Sequence, residues 1–260
     1  MTARRVVVAL LCLLASPAGA QDAPEDVQQI RQAAERGDPK AQTRLGTMLA
    51  DGTGVAPDDA QAVQWYRKAA EQGSAEAQAL LGMMLDSGNG VPQDSVQAVE
   101  WFRKSAAQGH PQGQFQLGLS LEDGSGVAKD VVQAAEWYRK AADQGFANAQ
   151  NNLGLLFAAG NGVPKDAMQA FEWFRKAAEQ GKSEAQFNVG MAYFTGSSGT
   201  VDFVEAYKWF TLAAVPRPGE HIPQYANARD AIATRLTPEQ AAEGHKRAQD
   251  WLDAFLLRSR

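Results

Sequence analysis

The chain has 260 residues, of which 45% are hydrophobic and 21% are charged, so it can bury a core and is not a disordered tail. The formal net charge of −5 disfavours a dedicated nucleic-acid binder, because such a protein needs a concentrated basic face. The composition also argues against collagen-like, coiled-coil and polytopic membrane proteins.

The first twenty residues have the pattern of a secretory signal peptide. Arg4 and Arg5 precede an apolar stretch, residues 6–15, which is too short to span a bilayer. Small residues then predict cleavage after Ala20, in preference to a buried N-terminal helix. We therefore expect a Sec-type signal peptide over 1–20 and a periplasmic or secreted protein.

The only cysteine, Cys12, lies within this predicted signal peptide. Cleavage would leave the remaining chain without a disulfide, a thiolate nucleophile or a cysteine metal ligand. It would also lower the number of basic residues from 25 to 23 against 30 acidic residues, so the net charge would become −7.

An internal repeat of 36 residues organises the rest of the chain. Five tryptophans and five glycines keep this interval, and two further glycine columns share it. The two longer columns are Trp65, Trp101, Trp137, Trp173 and Trp209, and Gly46, Gly82, Gly118, Gly154 and Gly190. We call the members of the second column the fixed glycines.

One period has the pattern of two helices. In the first unit, 38–73, apolar residues at spacings of three and four follow Pro39, as in an amphipathic helix. The glycine-rich segment 51–54 then breaks this helix. A second helix is predicted to begin at Asp58, with a reciprocal capping box between Asp58 and Gln61.

The fixed glycine lies inside the first helix of each unit, where it costs about 1 kcal/mol relative to alanine. We expect it to permit a close approach of the two helices, against the tryptophan of the same pair. The repeat therefore predicts five helical hairpins.

The pattern A-Q-x-x-L-G-x-x-L-x-x-G-x-G-V-x-x-D-x-x-x-A-x-x-W-[YF]-x-K-A-A-x-Q-G resembles the Sel-one-like repeat (SLR), a tetratricopeptide-like repeat. Residues 77–109 and 149–181 show it almost in full. In the last unit, Thr211 and Leu212 replace the Arg-Lys pair, so this unit is expected to lead into a cap. The resemblance implies an all-α fold, an α/α superhelical solenoid of about five 36-residue helix-hairpin repeats with N- and C-terminal capping helices.

The segment 27–37 aligns with the second half of a repeat, so it is expected to cap the first unit. After the repeats, helices are predicted over about 224–235 and 238–257, and Thr237 and Gln240 form a capping box with proline at the first helical position. The expected divisions are a linker and half-repeat capping helix over 21–37, five Sel-one-like repeats over 38–215 and a C-terminal helical cap over 216–260.

No residue cluster predicts catalysis. His110, His221 and His245 are scattered and have no second ligand at metal spacing. The glycine-rich loops recur at one location in every unit, which an inter-helix turn explains better than a phosphate or calcium site. We expect no cofactor, no metal and no enzymatic activity.

The resemblance implies that the first helices of successive units line a concave surface. Its exposed columns begin four residues before, and one after, the fixed glycine. Apolar residues there would accept a peptide or helix, and acidic ones a basic or amphipathic partner. Alternatively, the aliphatic residues pack between units. The candidate partner-binding residues are Glu76, Met83, Asp86, Phe115, Leu119, Glu122, Asn148, Asn151, Leu155, Glu184, Phe187 and Met191.

The resemblance and the signal pattern together predict a non-enzymatic, exported scaffold or adaptor that binds an envelope or secreted protein partner. We expect no nucleic-acid binding and no integral membrane segment after signal cleavage, and the oligomeric state stays open. One alternative is a cell-envelope glycan- or β-lactam-binding protein or hydrolase related to cysteine-rich Sel-one-like proteins. Another is a host-directed secreted binder.

Overall fold

The structure, a computed structural model, describes residues 27–215 and 223–258, and the predicted signal peptide lies outside them. Within these residues the chain is helical and contains no strand. The helices are α1 Val27–Glu35, α2 Pro39–Asp51, α3 Asp59–Glu71, α4 Ala75–Ser87, α5 Ser95–Ala107, α6 Pro111–Asp123, α7 Val131–Asp143, α8 Ala147–Ala159, α9 Ala167–Glu179, α10 Ser183–Thr195, α11 Phe203–Ala213, α12 Pro223–Ala233 and α13 Pro238–Arg258.

The described residues fall into two compact units. The N-terminal unit, residues 27–176, holds α1 to α8 and most of α9. The C-terminal unit, residues 177–258, holds the end of α9 and the helices α10 to α13. In each hairpin the first helix is the even-numbered one from α2 to α10, and the second helix follows it.

An aspartate caps the start of each second helix. Asp58 Oδ1 accepts a hydrogen bond from the Gln61 backbone N–H at 2.9 Å, as the sequence predicts. The reciprocal half of the predicted capping box is wrong here, because the Asp58 N–H already donates to Leu49 O at 2.8 Å. The Gln61 Nε2 instead donates to Asp58 Oδ2 at 2.7 Å. The same side-chain pairs occur at Asp94–Gln97, Asp130–Gln133 and Asp166–Gln169.

The predicted reciprocal box does form at α13. The Thr237 N–H donates to Gln240 Oε1 at 2.9 Å, and the Gln240 N–H donates to Thr237 Oγ1 at 3.3 Å. Pro238 occupies the first helical position, where a missing N–H costs nothing.

The fixed glycine of each first helix makes room for an aromatic ring of the second. A Cβ added to Gly118 would lie 2.6 Å from Cε1 of Tyr138. The ring belongs to the residue after the tryptophan, so the prediction that the tryptophan packs against the glycine is wrong. Neighbouring helix residues point about 100° apart, and only one of the two rings can face the first helix. The five rings are Tyr66, Phe102, Tyr138, Phe174 and Phe210.

The tryptophans pack against lysines of their own helices instead. The Lys140 ammonium lies 3.7 Å from the centroid of the Trp137 ring, within the range of a cation–π interaction. Three other hairpins repeat this contact one helical turn apart, as Trp65–Lys68, Trp101–Lys104 and Trp173–Lys176. In the Trp-x-x-Lys part of the repeat, the lysine side chain therefore covers the tryptophan ring.

Buried glutamines join successive hairpins in the N-terminal unit. Gln78 Nε2 donates to Ala70 O of the preceding second helix at 3.1 Å, and Gln78 Oε1 accepts from Gln108 Nε2 at 2.8 Å. One amide thus links the end of α3, α4 and the residue that follows α5. At the first hairpin, α1 supplies the equivalent carbonyl, since Gln42 Nε2 donates to Ala34 O at 3.0 Å. The helix α1 therefore occupies the place of a preceding second helix.

In the C-terminal unit, α12 and α13 both pack on α11. Buried Phe210 and Ile232 belong to one apolar cluster. Arg247 of α13 donates to Glu205 Oε1 of α11 at 2.9 Å, and the Trp251 and Trp209 rings meet edge to face with centroids 6.1 Å apart. These two helices lie close to the bounds predicted from the sequence.

Candidate functional site

A row of accessible apolar side chains crosses three successive first helices of the N-terminal unit. Each is the residue directly after a fixed glycine: Met83 on α4, Leu119 on α6 and Leu155 on α8. Met83 and Leu119 are partly exposed and Leu155 is 45% exposed. Because the glycine faces the second helix, the next residue points to one side of that contact. The row therefore has the accessibility that a binding surface requires.

Partly exposed amides flank the apolar row. They are Gln112 and Gln116 on α6 and Asn148 and Asn152 on α8. Gln112 Nε2 lies 3.1 Å from Met83 Sδ, so α4 and α6 meet on this surface. Only Asn148 is among the sequence candidates. Gln112, Gln116 and Asn152 stand seven or three residues before the member of the apolar row on the same helix. This helical spacing would have identified them from the sequence.

Two carboxylates stand one helical turn after the apolar row. Asp86 Oδ1 accepts from Ser95 Oγ at 2.7 Å. Glu122 Oε2 accepts from the Tyr138 hydroxyl at 2.6 Å, and the Asn152 side chain also interacts with that hydroxyl. Burial and the bond to Glu122 raise the pKa of Tyr138 well above its ordinary 10.0, so the phenol stays protonated and donates. Glu122 is thus held in place by a second-helix residue.

We call this surface the first-helix face. Its residues come from three helices of the N-terminal unit and are apolar, amide or acidic. They are Met83, Asp86, Gln112, Gln116, Leu119, Glu122, Asn148, Asn152 and Leu155. Exposed Glu76 lies beside it in the first turn of α4.

Basic residues are distributed unevenly between the two kinds of helix. The helices α4, α6 and α8 contain no lysine or arginine, whereas α3, α5, α7 and α9 each contain an adjacent Arg-Lys pair. Lys40 and Arg44 belong to α2, so the stretch without basic residues begins at α4. The first-helix face is therefore negative in character.

Two candidates from the sequence lie in the core instead. Phe115 and Asn151 are 9% and 5% exposed, and the Phe115 ring centroid lies 5.7 Å from that of Tyr138 and 5.3 Å from that of Phe146. They stand three residues before the fixed glycine and so share its side of the helix, towards the second helices. The column four residues before the glycine is also buried, since it consists of the glutamines that join the hairpins.

The three remaining candidates belong to the C-terminal unit. Phe187 packs with its ring centroid 5.4 Å from Phe210 and 5.1 Å from Tyr225, so it serves the packing of that unit. Met191 is 36% exposed. Glu184 Oε2 lies 3.0 Å from the Lys182 ammonium. These residues are not part of the first-helix face as defined here.

A surface cavity of about 420 Å³ lies elsewhere, beside α7. It contains none of the candidate residues and is lined by Val132, Ala135, Glu136, Arg139, Lys140, Asp143, Gly162 and Val163. Its two cationic groups lie over aromatic rings, Arg139 over Phe157 at 5.4 Å and Lys140 over Trp137 at 3.7 Å.

Among the described residues, no three His, Cys, Asp or Glu side chains are grouped closely enough to hold a metal ion. Over the same part of the chain, no helix combines the length and the apolar character that crossing a membrane requires.

The comparison with protein families agrees with this architecture. The Sel1 repeat matches five consecutive segments, residues 39–74, 75–110, 111–146, 147–182 and 183–214. The chain belongs to the Sel1 repeat family. Each matched segment begins at the start of a first helix and contains one hairpin, so the fold is an α solenoid of five tandem Sel1 repeats. Sel1 repeats generally form scaffolds for protein–protein interaction.

Solved structures of Sel1 repeat proteins are similar to this chain. One from Oxalobacter formigenes is 33% identical over 81% of this chain and 59% of its own, with a TM-score of 0.71. A protective antigen of uropathogenic Escherichia coli strains with an SLR fold is 32% identical over 88% and 56%, with a TM-score of 0.56. A putative Sel1 repeat protein from Klebsiella pneumoniae is 28% identical over 80% and 99%, with a TM-score of 0.54.

The chain spans less than two thirds of the length of the first two of these proteins. Among curated proteins, none matches this chain.

Proposed function

We propose that this Sel1 repeat protein is a non-enzymatic, exported scaffold that binds a protein partner of the cell envelope, or a secreted one, through its first-helix face. The observation that carries the proposal is the row of accessible apolar side chains Met83, Leu119 and Leu155 on three successive first helices. Such a row offers a partner apolar area to bury, and the amides and carboxylates around it supply a polar border.

Export rests on the signal-peptide pattern of residues 1–20. The chain expressed from its first methionine is expected in the periplasm or the medium, with Gln21 as its new N-terminus. Recovery of the uncleaved chain from the cytoplasm would contradict export, and N-terminal sequencing of the fractionated protein decides between these outcomes.

Partner binding is tested with a pair of matched double variants. Leu119→Ser with Leu155→Ser removes apolar area from the first-helix face. Val96→Ser with Val132→Ser removes it from second helices, where these valines are 61% and 58% exposed. Because none of the four side chains is buried, both variants are expected to keep wild-type helicity and melting temperature by circular dichroism.

The wild-type protein, cross-linked in envelope preparations, identifies the partner by mass spectrometry, and the purified partner is then titrated against each variant. The first-helix variant should bind about tenfold more weakly or worse, and the valine variant should bind as the wild type does. Equal affinity of the two variants for the partner would place the binding surface elsewhere.

Purified protein should neither hydrolyse nitrocefin nor bind muropeptides. If the wild-type protein does turn over nitrocefin or bind muropeptides, and the Leu119→Ser, Leu155→Ser variant does so equally well, a glycan- or β-lactam-directed protein would be favoured instead.

A further inference from the structure

The first-helix face carries negative charge on two of its three helices, α4 and α6. Its helices α4, α6 and α8 contain four carboxylates and no basic residue, and the carboxylates are Glu76, Asp86, Glu122 and Asp123. A surface with one sign of charge selects a partner of the opposite sign and speeds its approach. A partner segment with lysine or arginine would complement this charge.

Glu122 has the features of an anchor for such a cation. The Tyr138 hydroxyl holds its Oε2 at 2.6 Å, and no described residue donates to its other carboxylate oxygen. Leu119, one helical turn earlier, provides apolar contact for the stem of a long basic side chain. A carboxylate that is already fixed and only partly exposed loses little freedom on binding, and its hydrogen bond with a guanidinium is charge-assisted.

The amides of the face favour an extended segment over a helix. Gln112, Gln116, Asn148 and Asn152 carry amides that can donate and accept, although Gln112 Nε2 already lies 3.1 Å from Met83 Sδ and Asn152 already interacts with Tyr138. An extended chain has unpaired backbone N–H and C=O groups that such side chains can satisfy, whereas the backbone of a helix is already paired internally. Side chains of an extended segment also alternate, so apolar residues can meet the row of Met83, Leu119 and Leu155.

We propose, building on the proposed function, that the first-helix face of α4, α6 and α8 binds an extended protein segment in which arginine or lysine alternates with apolar residues, and that Glu122 anchors one of these cations. The neighbouring acids Asp86 and Asp123 receive further basic residues of the segment.

Four fluorescein-labelled synthetic peptides of ten residues test this proposal by anisotropy with the full chain. In three of them leucine alternates with arginine, glutamate or glutamine, and the fourth has the composition of the arginine peptide arranged at helical spacing. The alternating arginine peptide should bind about tenfold more tightly than the glutamine peptide, and its advantage over the glutamate peptide should be larger still. Added NaCl should weaken binding of the arginine peptide.

Variants then separate a specific anchor from general attraction to an acidic protein. Glu122→Gln should weaken the arginine peptide about five- to tenfold and leave the glutamine peptide unchanged. Glu100→Gln removes the same charge from an exposed position on α5 and should have no effect. Tyr138→Phe should cause a smaller loss of about two- to threefold, and it keeps the fold because Phe102 and Phe174 occupy the same position in neighbouring hairpins.

Three outcomes would overturn the proposal: no preference for the arginine peptide, equal effects of Glu122→Gln and Glu100→Gln, or tighter binding of the helical peptide. Each of these leaves the proposed function intact if Leu119→Ser with Leu155→Ser still weakens binding of the natural partner about tenfold or more. Unchanged capture by that double variant would instead refute the proposed function itself.

Discussion

At the scale of single residues, the fixed glycine and one aromatic ring define each hairpin. The ring of Tyr138 is fully buried and lies where a side chain on Gly118 would be. The glycine weakens the isolated helix by about 1 kcal/mol, but burying a large aromatic ring contributes several times that amount. The residue pair, and not either residue alone, stabilises the hairpin.

Gly118→Ala is therefore expected to lower the free energy of unfolding by about 1–3 kcal/mol, although alanine is the better helix former. The new Cβ would come within 2.6 Å of the Tyr138 ring, so ring or helix must shift. Urea denaturation followed by circular dichroism measures the change. In a Tyr138→Leu background the same substitution should cost much less, and a gain in stability in the wild-type background would refute the close contact.

At the scale of elements, most helices have an N-cap side chain that accepts a hydrogen bond from a free backbone N–H group of the first turn. The helix α6 is an exception. Its first flanking residue, His110, makes no capping hydrogen bond, and its Nδ1 is buried without a partner among the described residues. Burial lowers the pKa of His110 below the usual 6.5, although Glu76 acts in the opposite direction. At the equivalent place before α4, Ser74 Oγ accepts from the Ala77 N–H at 3.3 Å.

His110→Ser should raise the free energy of unfolding by about 1 kcal/mol at pH 7, because it supplies the missing cap. The wild type should lose stability as the pH falls below 6.5, since the unfolded chain then binds a proton that the folded imidazole resists. Above that pH both states are neutral and His110 adds no pH dependence. The variant lacks this contribution, so its stability should fall less between pH 7 and pH 5.

Denaturation curves at several pH values measure both effects, and Ser74→Ala serves as the reverse control with an expected loss of about 1 kcal/mol. Identical pH profiles for His110→Ser and the wild type would show that this imidazole is not perturbed by burial.

At the scale of the whole molecule, a Sel1 solenoid depends on contacts between successive hairpins, because each repeat touches only its neighbours. The buried glutamines are such contacts in the N-terminal unit. Gln78 satisfies a backbone carbonyl of α3 and the side chain of Gln108 at once. Its replacement removes both of these hydrogen bonds, although Ala70 O and Gln108 Nε2 keep their bonds with Gly73.

Gln78→Met, which keeps the volume of the side chain, should lower the free energy of unfolding by about 1–3 kcal/mol. Gln64→Met changes an exposed glutamine of α3 and should stay close to the wild type. Hydrogen exchange by mass spectrometry compares Gln78→Met with the wild type. The substitution should accelerate exchange in α3, α4 and α5 more than in α7 and α8. Uniformly faster exchange across the N-terminal unit would mean that the hydrogen bonds of Gln78 do not stabilise these helices locally.

The sequence by itself determined the repeat, the two helices of each hairpin, the starts of the second helices and the family. These properties depend on local chemistry. An aspartate such as Asp58 caps the helix that follows it, and a residue repeated at a fixed interval, such as the fixed glycine, indicates a repeated structural unit. Three of the sequence candidates, Met83, Leu119 and Leu155, are accessible, and their binding of a partner stays a prediction.

Only the tertiary structure decided which side of each helix is buried. Trp137 and Tyr138 are adjacent in the sequence and both aromatic, yet the fixed glycine receives Tyr138. Phe115 likewise lies in the core and Leu119 at the surface. Helical periodicity gives the angles between side chains but not the direction in which the neighbouring helix lies, and that direction is set by the packing of the hairpins against one another.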